Sequence, residues 1–251
     1  DEDGDGDGDE AHNHSEGPHL HLDGAMHGIE ADGSEWYADP AIVATDAEQG
    51  ATIGGGTGVN NSPFDFADTF TLHSNPGANH TVYLDFTGHT TSGTQWNTSF
   101  NNGNAFTTPE YDIDGTPGFS NNELTIIQRV WQRVVEDFVA FDVDVTTEEP
   151  ANIGDIIKEN GSDTRWGVRV AIGGSNQDWL GLDAGGIAYV GSFNSSSDTP
   201  TYVFTQQLGT GNHKNIAEAT SHEVGHTLGL SHDGTSSVEY YPGHGSGETG
   251  W

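Results

Sequence analysis

The most regular hydrophobic pattern in the chain lies near its middle. Between residues 124 and 138, apolar side chains recur every three or four positions, which places them on one face of a helix. The residues of this stripe are Leu124, Ile127, Trp131, Val134, Val135 and Phe138. Ser120 and Glu123 precede it with the spacing of a capping box, a pattern that begins helices. We therefore predict a long helix that starts near Glu123 and packs its apolar face against the core.

Alternating apolar and polar residues predict strands on both sides of this helix. The predicted strands cover residues 81–86, 142–147, 167–172, 187–190 and 201–205. A second helix is predicted for residues 215–228, whereas residues 95–118 contain Asn, Gly and Pro throughout and are predicted to form a loop. This order of elements predicts an α+β fold, in which long helices pack against a mixed, twisted β-sheet.

Residues 1–75 show little apolar periodicity and are rich in Asp, Gly and His. We predict a disordered acidic N-terminal segment, either a linker or the remnant of a propeptide. Its first residues alternate Asp and Gly, but His12 stands where an EF-hand needs Glu, and no amphipathic helix flanks the run. An EF-hand is therefore disfavoured, and weak Ca²⁺ binding stays open. The histidines of the segment form a tract with either specific or adventitious affinity for transition metals: His12, His14, His19, His21 and His27.

The charge balance excludes or disfavours several classes of partner. The 39 acidic and 6 basic residues give a net charge of −33. Nucleic acid is excluded because phosphate binding needs Lys and Arg, and anionic membrane surfaces are disfavoured for the same reason. No apolar run approaches the ~18 residues of a membrane-spanning helix. The absence of Cys excludes disulfides and any latency mechanism based on a cysteine.

The strongest chemical signal is the run from His222 to His232, which reads H-E-x-x-H-x-x-G-x-x-H. Histidines four residues apart lie on one face of a helix, where one metal ion can bind both. Glu223 follows the first histidine and can reach water beside the metal. Gly229 tolerates the backbone conformation of a sharp helix exit, which could bring His232 round as the third ligand. Three protein ligands leave one position open, as a catalytic zinc site requires.

Two other interpretations of the motif remain. The cluster could be a closed structural zinc site, or it could belong to a degenerate enzyme that has kept its ligands. A closed site usually recruits a fourth Cys or His, and the chain has no Cys. A degenerate enzyme would most simply have lost Glu223, which is present. The catalytic interpretation is therefore favoured.

At these residues the chain resembles the metzincin metalloendopeptidases. Asp233, directly after the third histidine, makes it most similar to the adamalysin or reprolysin-like branch. Residues 185–191 resemble the strand that forms the upper rim of the substrate cleft in that family. Residues 123–147 resemble the first long helix and the following strand of bacterial secreted members. The similarity extends from about residue 81 to the end of the chain.

The resemblance implies a metzincin-like catalytic domain over residues 76–251 that binds one catalytic Zn²⁺, cleaves protein or peptide substrates and is secreted. The implied metal ligands are His222, His226 and His232, and the implied general base is Glu223. Gly229 and Asp233 would fix the turn or orient the ligands. An extended substrate would bind along the rim strand, at Gly186, Ile187, Ala188 and Tyr189. A further Ca²⁺ ion is possible within the run from Asp112 to Gly115, which is otherwise a turn.

The chain departs from this family in one respect. Metzincins carry a methionine turn downstream of the third histidine, whereas Met26 is the single methionine here and only residues 234–251 follow Asp233. We expect either a fragment that ends before this turn and the C-terminal subdomain, or a divergent member without the turn. Two competing functions stay open. These are a non-catalytic, acidic, calcium-binding extracellular module and a zinc hydrolase that acts on cell-wall peptides.

Overall fold

A computed structural model describes residues 18–20, 24–41 and 62–233 of the chain. Within these ranges the chain forms ten strands and three α-helices. The strands are β1 (His19–Leu20), β2 (Met26–Ile29), β3 (Glu35–Asp39), β4 (His80–Asp85), β5 (His89–Thr91), β6 (Phe106–Thr108), β7 (Val143–Thr146), β8 (Trp166–Ile172), β9 (Gly186–Tyr189) and β10 (Thr201–Val203). The helices are α1 (Gln95–Phe100), α2 (Asn121–Phe138) and α3 (His213–Thr227).

Eight of these strands form one mixed sheet in the order β1-β2-β3-β9-β10-β8-β4-β7. The neighbouring strands β10, β8, β4 and β7 pair in parallel. In the other half of the sheet, the neighbouring strands β1, β2, β3, β9 and β10 pair antiparallel. β5 and β6 form a separate antiparallel hairpin. The predicted α+β class with a mixed sheet is confirmed.

Each face of the sheet carries its own hydrophobic core. Val168, Val170 and Ile172 of β8 lie in the core that α2 and α3 cover, whereas Ala171 lies in the opposite, aromatic core. This alternation follows from the two-residue period of a strand. The aromatic core contains Trp36, Trp96, Phe106, Tyr189, Tyr202 and Phe204. Within the described ranges, no helix combines the length and hydrophobicity that crossing a membrane requires.

The capping box predicted before the long helix is present. Ser120 donates its backbone N–H to Glu123 Oε2 over 2.6 Å, and the Glu123 N–H donates to Ser120 Oγ over 3.4 Å. The helix buries Ile127, Trp131 and other members of the predicted stripe against the sheet. The long helix is therefore explained by local sequence, since both its start and its buried face can be found in the pattern.

The predicted loop over residues 95–118 is wrong in two places, because it contains α1 and β6. Asn97 Oδ1 accepts the Thr94 N–H over 2.9 Å and fixes the start of α1. Trp96 is fully buried in the aromatic core and donates its indole N–H to the Pro200 carbonyl over 2.8 Å. Burial against distant residues orders this segment despite its loop-like composition.

The predicted disorder of residues 1–75 differs from the structure over the β2–β3 hairpin, residues 26–39. Trp36, Tyr37 and Ala38 are all buried, because β3 lies inside the sheet and both of its faces are covered. His27 of the histidine tract contacts Glu35 Oε1 at 2.8 Å. The Asp-Gly run, His12, His14 and His21 lie outside the described residues.

A buried ion-pair network ties β4, β8 and the loop before β10 together. Arg169 Nη1 lies 2.6 Å from Asp85 Oδ2, and Arg169 Nε lies 3.0 Å from Asp198 Oδ2. Arg169 and Asp85 are almost completely buried. Removing one partner from such a pair is costly, because a charge is left in the interior without compensation.

We expect Arg169→Met to lower the free energy of unfolding by about 3 kcal/mol, since Asp85 loses its cation. Arg165→Met is the matched control, because Arg165 pairs with Asp155 at the surface over 3.1 Å and its side chain is 48% exposed. The control should cost less than about 1 kcal/mol. Urea denaturation of both variants measures the difference, and equal midpoints would contradict a structural role for the buried pair.

Candidate metal centre and active site

Helix α3 carries the first two histidines of the motif. Asn212 caps this helix, because its side-chain oxygen accepts the N–H groups of Lys214 and Asn215. His222 and His226 lie one turn apart on the same face, and their Nε2 atoms are 3.0 Å apart. The four-residue spacing thus produces the shared face that the motif requires.

The third histidine returns to this face through a turn after the helix. Gly229 has a φ of +92°, a conformation that side chains with a Cβ rarely adopt. Its N–H donates to the His226 carbonyl over 2.8 Å, and the Leu230 N–H donates to the Gly225 carbonyl over 3.1 Å. His232 Nε2 then lies 3.1 Å from His222 Nε2. The structure therefore brings all three predicted metal ligands together.

The donor atoms at this point fit a zinc ion. The three histidines and Asp39 each offer one ligand atom, and these atoms all lie within 4.8 Å of one another. Imidazole nitrogen and carboxylate oxygen are donors that zinc accepts. His226 Nδ1 lies 2.7 Å from the Leu230 carbonyl, which can only accept a hydrogen bond. A proton on His226 Nδ1 can bond to this carbonyl, which would leave the Nε2 lone pair for a metal ion when one is bound.

Asp39 is the member of this cluster that was not predicted from the sequence. It ends β3, and its Oδ2 lies 3.3 Å from His222 Nε2 and 3.2 Å from His226 Nε2. Its Oδ1 lies 3.0 Å from His232 Nε2. In the sequence it is separated from His226 by 187 positions and is one of 39 acidic residues. Its one distinguishing signal is its place at the end of a short apolar run, Trp36 to Ala38.

Glu223 lies beside the cluster and is only 1% exposed. Burial raises the pKa of its carboxyl well above the ordinary range, and the negative charge of Asp39 raises it further. Burial alone would also raise the pKa of Asp39, but hydrogen bonds from His222, His226 and His232 lower it well below its ordinary value. Within the described ranges, Glu223 Oε2 has no hydrogen-bond partner. A carboxylate oxygen in this position can accept a proton from a reactant.

Gly186 sets the position of the Glu223 side chain. Any Cβ at residue 186 would overlap the Glu223 carboxylate and its Cγ. The absence of a side chain at this position therefore lets α3 approach β9 closely. A cleft opens next to this contact. Its lining includes Leu208, Asn215, Glu218 and Ala219 together with Gly185, Gly186 and His222.

The predicted substrate-binding residues Gly186, Ile187, Ala188 and Tyr189 form β9 and are buried. One edge of β9 pairs with β10 and the other edge pairs with β3. The edge that the sequence analysis assigned to a substrate is therefore occupied by the chain itself. Asp233 is exposed at the end of the described range.

The possible calcium ligands lie in the loop before α2 and in the first turn of that helix. Ligand oxygens of Asp112, Asp114 and Glu123 lie within 4.8 Å of one another. Asp112 Oδ1 accepts the backbone N–H groups of Asp114 and Gly115, and Glu123 accepts the N–H groups of Ser120 and Ile113. These hydrogen bonds hold the turn that was predicted from the sequence. Calcium binding at this turn stays a prediction.

Comparison with known proteins identifies the family. The model of the M12B, reprolysin-like metallopeptidases matches residues 108–233, half of the 251-residue chain. The match includes α2, the strands from β7 to β10, and α3 with the complete histidine motif, whereas β3 and Asp39 lie outside it. Comparisons with curated proteins and with solved structures gave no match. The chain belongs to the reprolysin-like metallopeptidase family M12B.

Proposed function

We propose that the chain is a zinc-dependent endopeptidase that hydrolyses internal peptide bonds of proteins, with Glu223 as general base. Peptide hydrolysis is the chemistry of the family to which the chain belongs. The observation that carries the proposal is the convergence of His222, His226 and His232 beside a buried glutamate, at the edge of a cleft. Structural zinc sites have no need of a neighbouring base.

The roles of the residues follow from their chemistry. His222, His226 and His232 would hold the zinc ion, which when bound supplies Lewis acidity toward water and a peptide carbonyl. Glu223 accepts a proton at a carboxylate oxygen while water oxygen attacks the carbonyl carbon. It then donates this proton to the amide nitrogen as the carbon–nitrogen bond breaks, so that the amine leaves neutral. Its confinement against Gly186 holds the carboxylate next to the histidines throughout.

Strand β9 gives the proposal its substrate class. An extended peptide that took the place of β3 beside β9 would form main-chain hydrogen bonds, which are the same for every sequence. Specificity would then come from side chains in the adjoining cleft, where apolar Leu208 and Ala219 stand beside Glu218 and Asn215. A site that binds the main chain along a strand suits internal bonds of a protein better than its ends.

A closed structural zinc site is the second candidate, and Asp39 favours it. Three imidazoles and one carboxylate complete a four-coordinate set without a vacant position. Such a site would stabilise the fold and would bind no substrate. The two candidates assign different roles to Glu223. An endopeptidase needs it for hydrolysis, whereas in a structural site it could affect only stability.

We expect Glu223→Ala to reduce casein hydrolysis by roughly 10²–10⁴-fold, the usual contribution of a general base. Zinc content should stay unchanged, because Glu223 is absent from the ligand set. Glu136→Ala, an exposed change on α2, is the control. Undiminished hydrolysis by Glu223→Ala would refute the assignment of the base.

We expect His226→Ala to lose the metal, since a buried ligand cannot be replaced from elsewhere in the cluster. Metal analysis after gel filtration measures zinc per chain. His213→Ala is a matched control on the same helix, because His213 contacts Arg133 and lies outside the cluster. Full zinc occupancy in His226→Ala would show that the ligand set is wrong.

We expect Gly186→Ala to reduce hydrolysis with zinc still bound, because the new Cβ displaces the Glu223 carboxylate. A loss of roughly a hundredfold corresponds to a misplaced base. Gly161→Ala is the control, since its Cβ meets nothing within 4 Å. Normal turnover in Gly186→Ala would mean that the observed position of Glu223 is not the catalytic one.

A further inference from the structure

The β2–β3 hairpin occupies the edge of the candidate substrate cleft. Strand β3 pairs antiparallel with β9, from Trp36 opposite Tyr189 to Asp39 opposite Gly186. At the two ends of this pairing, the Gly185 N–H donates to the Asp39 carbonyl over 2.6 Å and the Val190 N–H donates to the Glu35 carbonyl over 2.8 Å. These are main-chain groups that an extended substrate would need. A substrate can pair with β9 only after β3 has left.

Asp39 fills the position beside the three histidines that a substrate or water would need. Its two carboxylate oxygens lie 3.0–3.3 Å from the Nε2 atoms of His222, His226 and His232. A catalytic zinc keeps one position free of protein ligands, and a carboxylate oxygen is a normal zinc ligand. With Asp39 in place the donor set is that of a closed site.

Tyr37 adds a second contact between the hairpin and the centre. It lies two residues before Asp39, so both side chains point to the same face of the strand. Its ring stacks on His226 with centroids 4.9 Å apart and lies 4.6 Å from the ring of His232. The ring of His27 stacks on Tyr37 at 4.6 Å. The hairpin therefore covers the histidines as well as contacting their nitrogens.

The candidate catalytic groups have little access to solvent. Glu223 is 1% exposed and His226 is 2% exposed. The side chain of His232 is 3% exposed. A base that meets no solvent cannot take a proton from water. The arrangement has the ligands and the base of a hydrolase, but Asp39 and β3 occupy the places that its two reactants would need.

We infer that the β2–β3 hairpin is an autoinhibitory segment, which blocks the β9 edge and supplies Asp39 as a fourth, displaceable ligand of the metal. This inference rests on the endopeptidase function proposed above. It also distinguishes the two candidate functions, because a displaceable Asp39 belongs to a latent enzyme and a permanent one belongs to a structural site.

The test compares the full-length chain with Asp39→Ala and Asp39→Asn, each loaded with Co²⁺ in place of Zn²⁺. Asp32→Ala is the matched control, since Asp32 lies exposed in the turn of the same hairpin. The visible absorption of Co²⁺ reports its coordination, and acetohydroxamate serves as a small probe for a vacant position. Asp39→Asn keeps the volume of the side chain, so it answers the question if Asp39→Ala does not fold.

We expect both Asp39 variants to show an altered Co²⁺ spectrum and to bind acetohydroxamate at least about tenfold more tightly than the unaltered chain. This factor corresponds to a hairpin that occupies the cleft for about 90% of the time or more. Asp32→Ala should behave like the unaltered chain. Casein hydrolysis by the zinc-loaded Asp39 variants should rise by a similar factor and should vanish when Glu223→Ala is added.

The outcomes separate this inference from the proposed function. Identical spectra and identical hydroxamate affinities in the Asp39 variants and the unaltered chain would overturn autoinhibition, whatever the hydrolysis rates. Equal hydrolysis by the unaltered chain and the Asp39 variants would also overturn it, and would leave the endopeptidase standing. Tighter hydroxamate binding without any hydrolysis would support displaceable ligation by Asp39 and refute the endopeptidase.

Discussion

The geometry of the metal centre depends on how the chain leaves helix α3. Two histidines four residues apart define one face of the helix, but a third ligand requires the chain to reverse within a few residues. Gly229 permits this reversal through its positive φ, and hydrogen bonds back to His226 and Gly225 hold it. Tyr37 and Asp39 of β3 both contact His232 as well as His226. A change in the turn would therefore disturb the helix end, the ligand set and the docking of β3 together.

Two buried charge clusters in the fold are balanced in different ways. Arg169 lies between Asp85 and Asp198, so a fixed cation compensates the carboxylates. At the metal centre, Asp39 and Glu223 are both buried, and Asp39 pairs with His222, His226 and His232. Hydrogen bonds from imidazoles, or a metal ion, must stabilise the carboxylate of Asp39. The first cluster is structural for this reason, and the second can change its partners.

Much of the fold could be predicted where structure follows from local pattern. The capping box and apolar stripe of α2, the alternation in β4 and β8, and the spacing of His222 and His226 are all visible within a few residues. The prediction failed where order comes from distant contacts. Trp96 orders α1 because it is buried in the aromatic core and donates its indole N–H to the Pro200 carbonyl. The β2–β3 hairpin is ordered by β9, which follows it by about 150 residues. An acidic composition gives no sign of such pairing.

The site residue Asp39 could not be predicted from the sequence for the same reason, because distant contacts place it. The absence of Cys argued against a closed zinc site, because a fourth Cys or His is the usual partner of three histidines. A carboxylate can take that position, but only the short apolar run before Asp39 separates it in the sequence from the other acidic residues. Only the register between β3 and β9, which sets Asp39 opposite Gly186, brings it beside the ligands.

The pairing of β3 with β9 also affects how the protein survives folding and storage. Without β3, strand β9 would become the edge of the sheet, with unpaired N–H and C=O groups beside the aromatic residues Tyr189 and Trp96. Edges of this kind readily recruit strands from other chains. A hairpin that keeps the active site closed therefore also keeps the sheet from extending between molecules. If release of the hairpin activates the enzyme, the unpaired edge of β9 would be open to strands of other molecules until a substrate pairs with it.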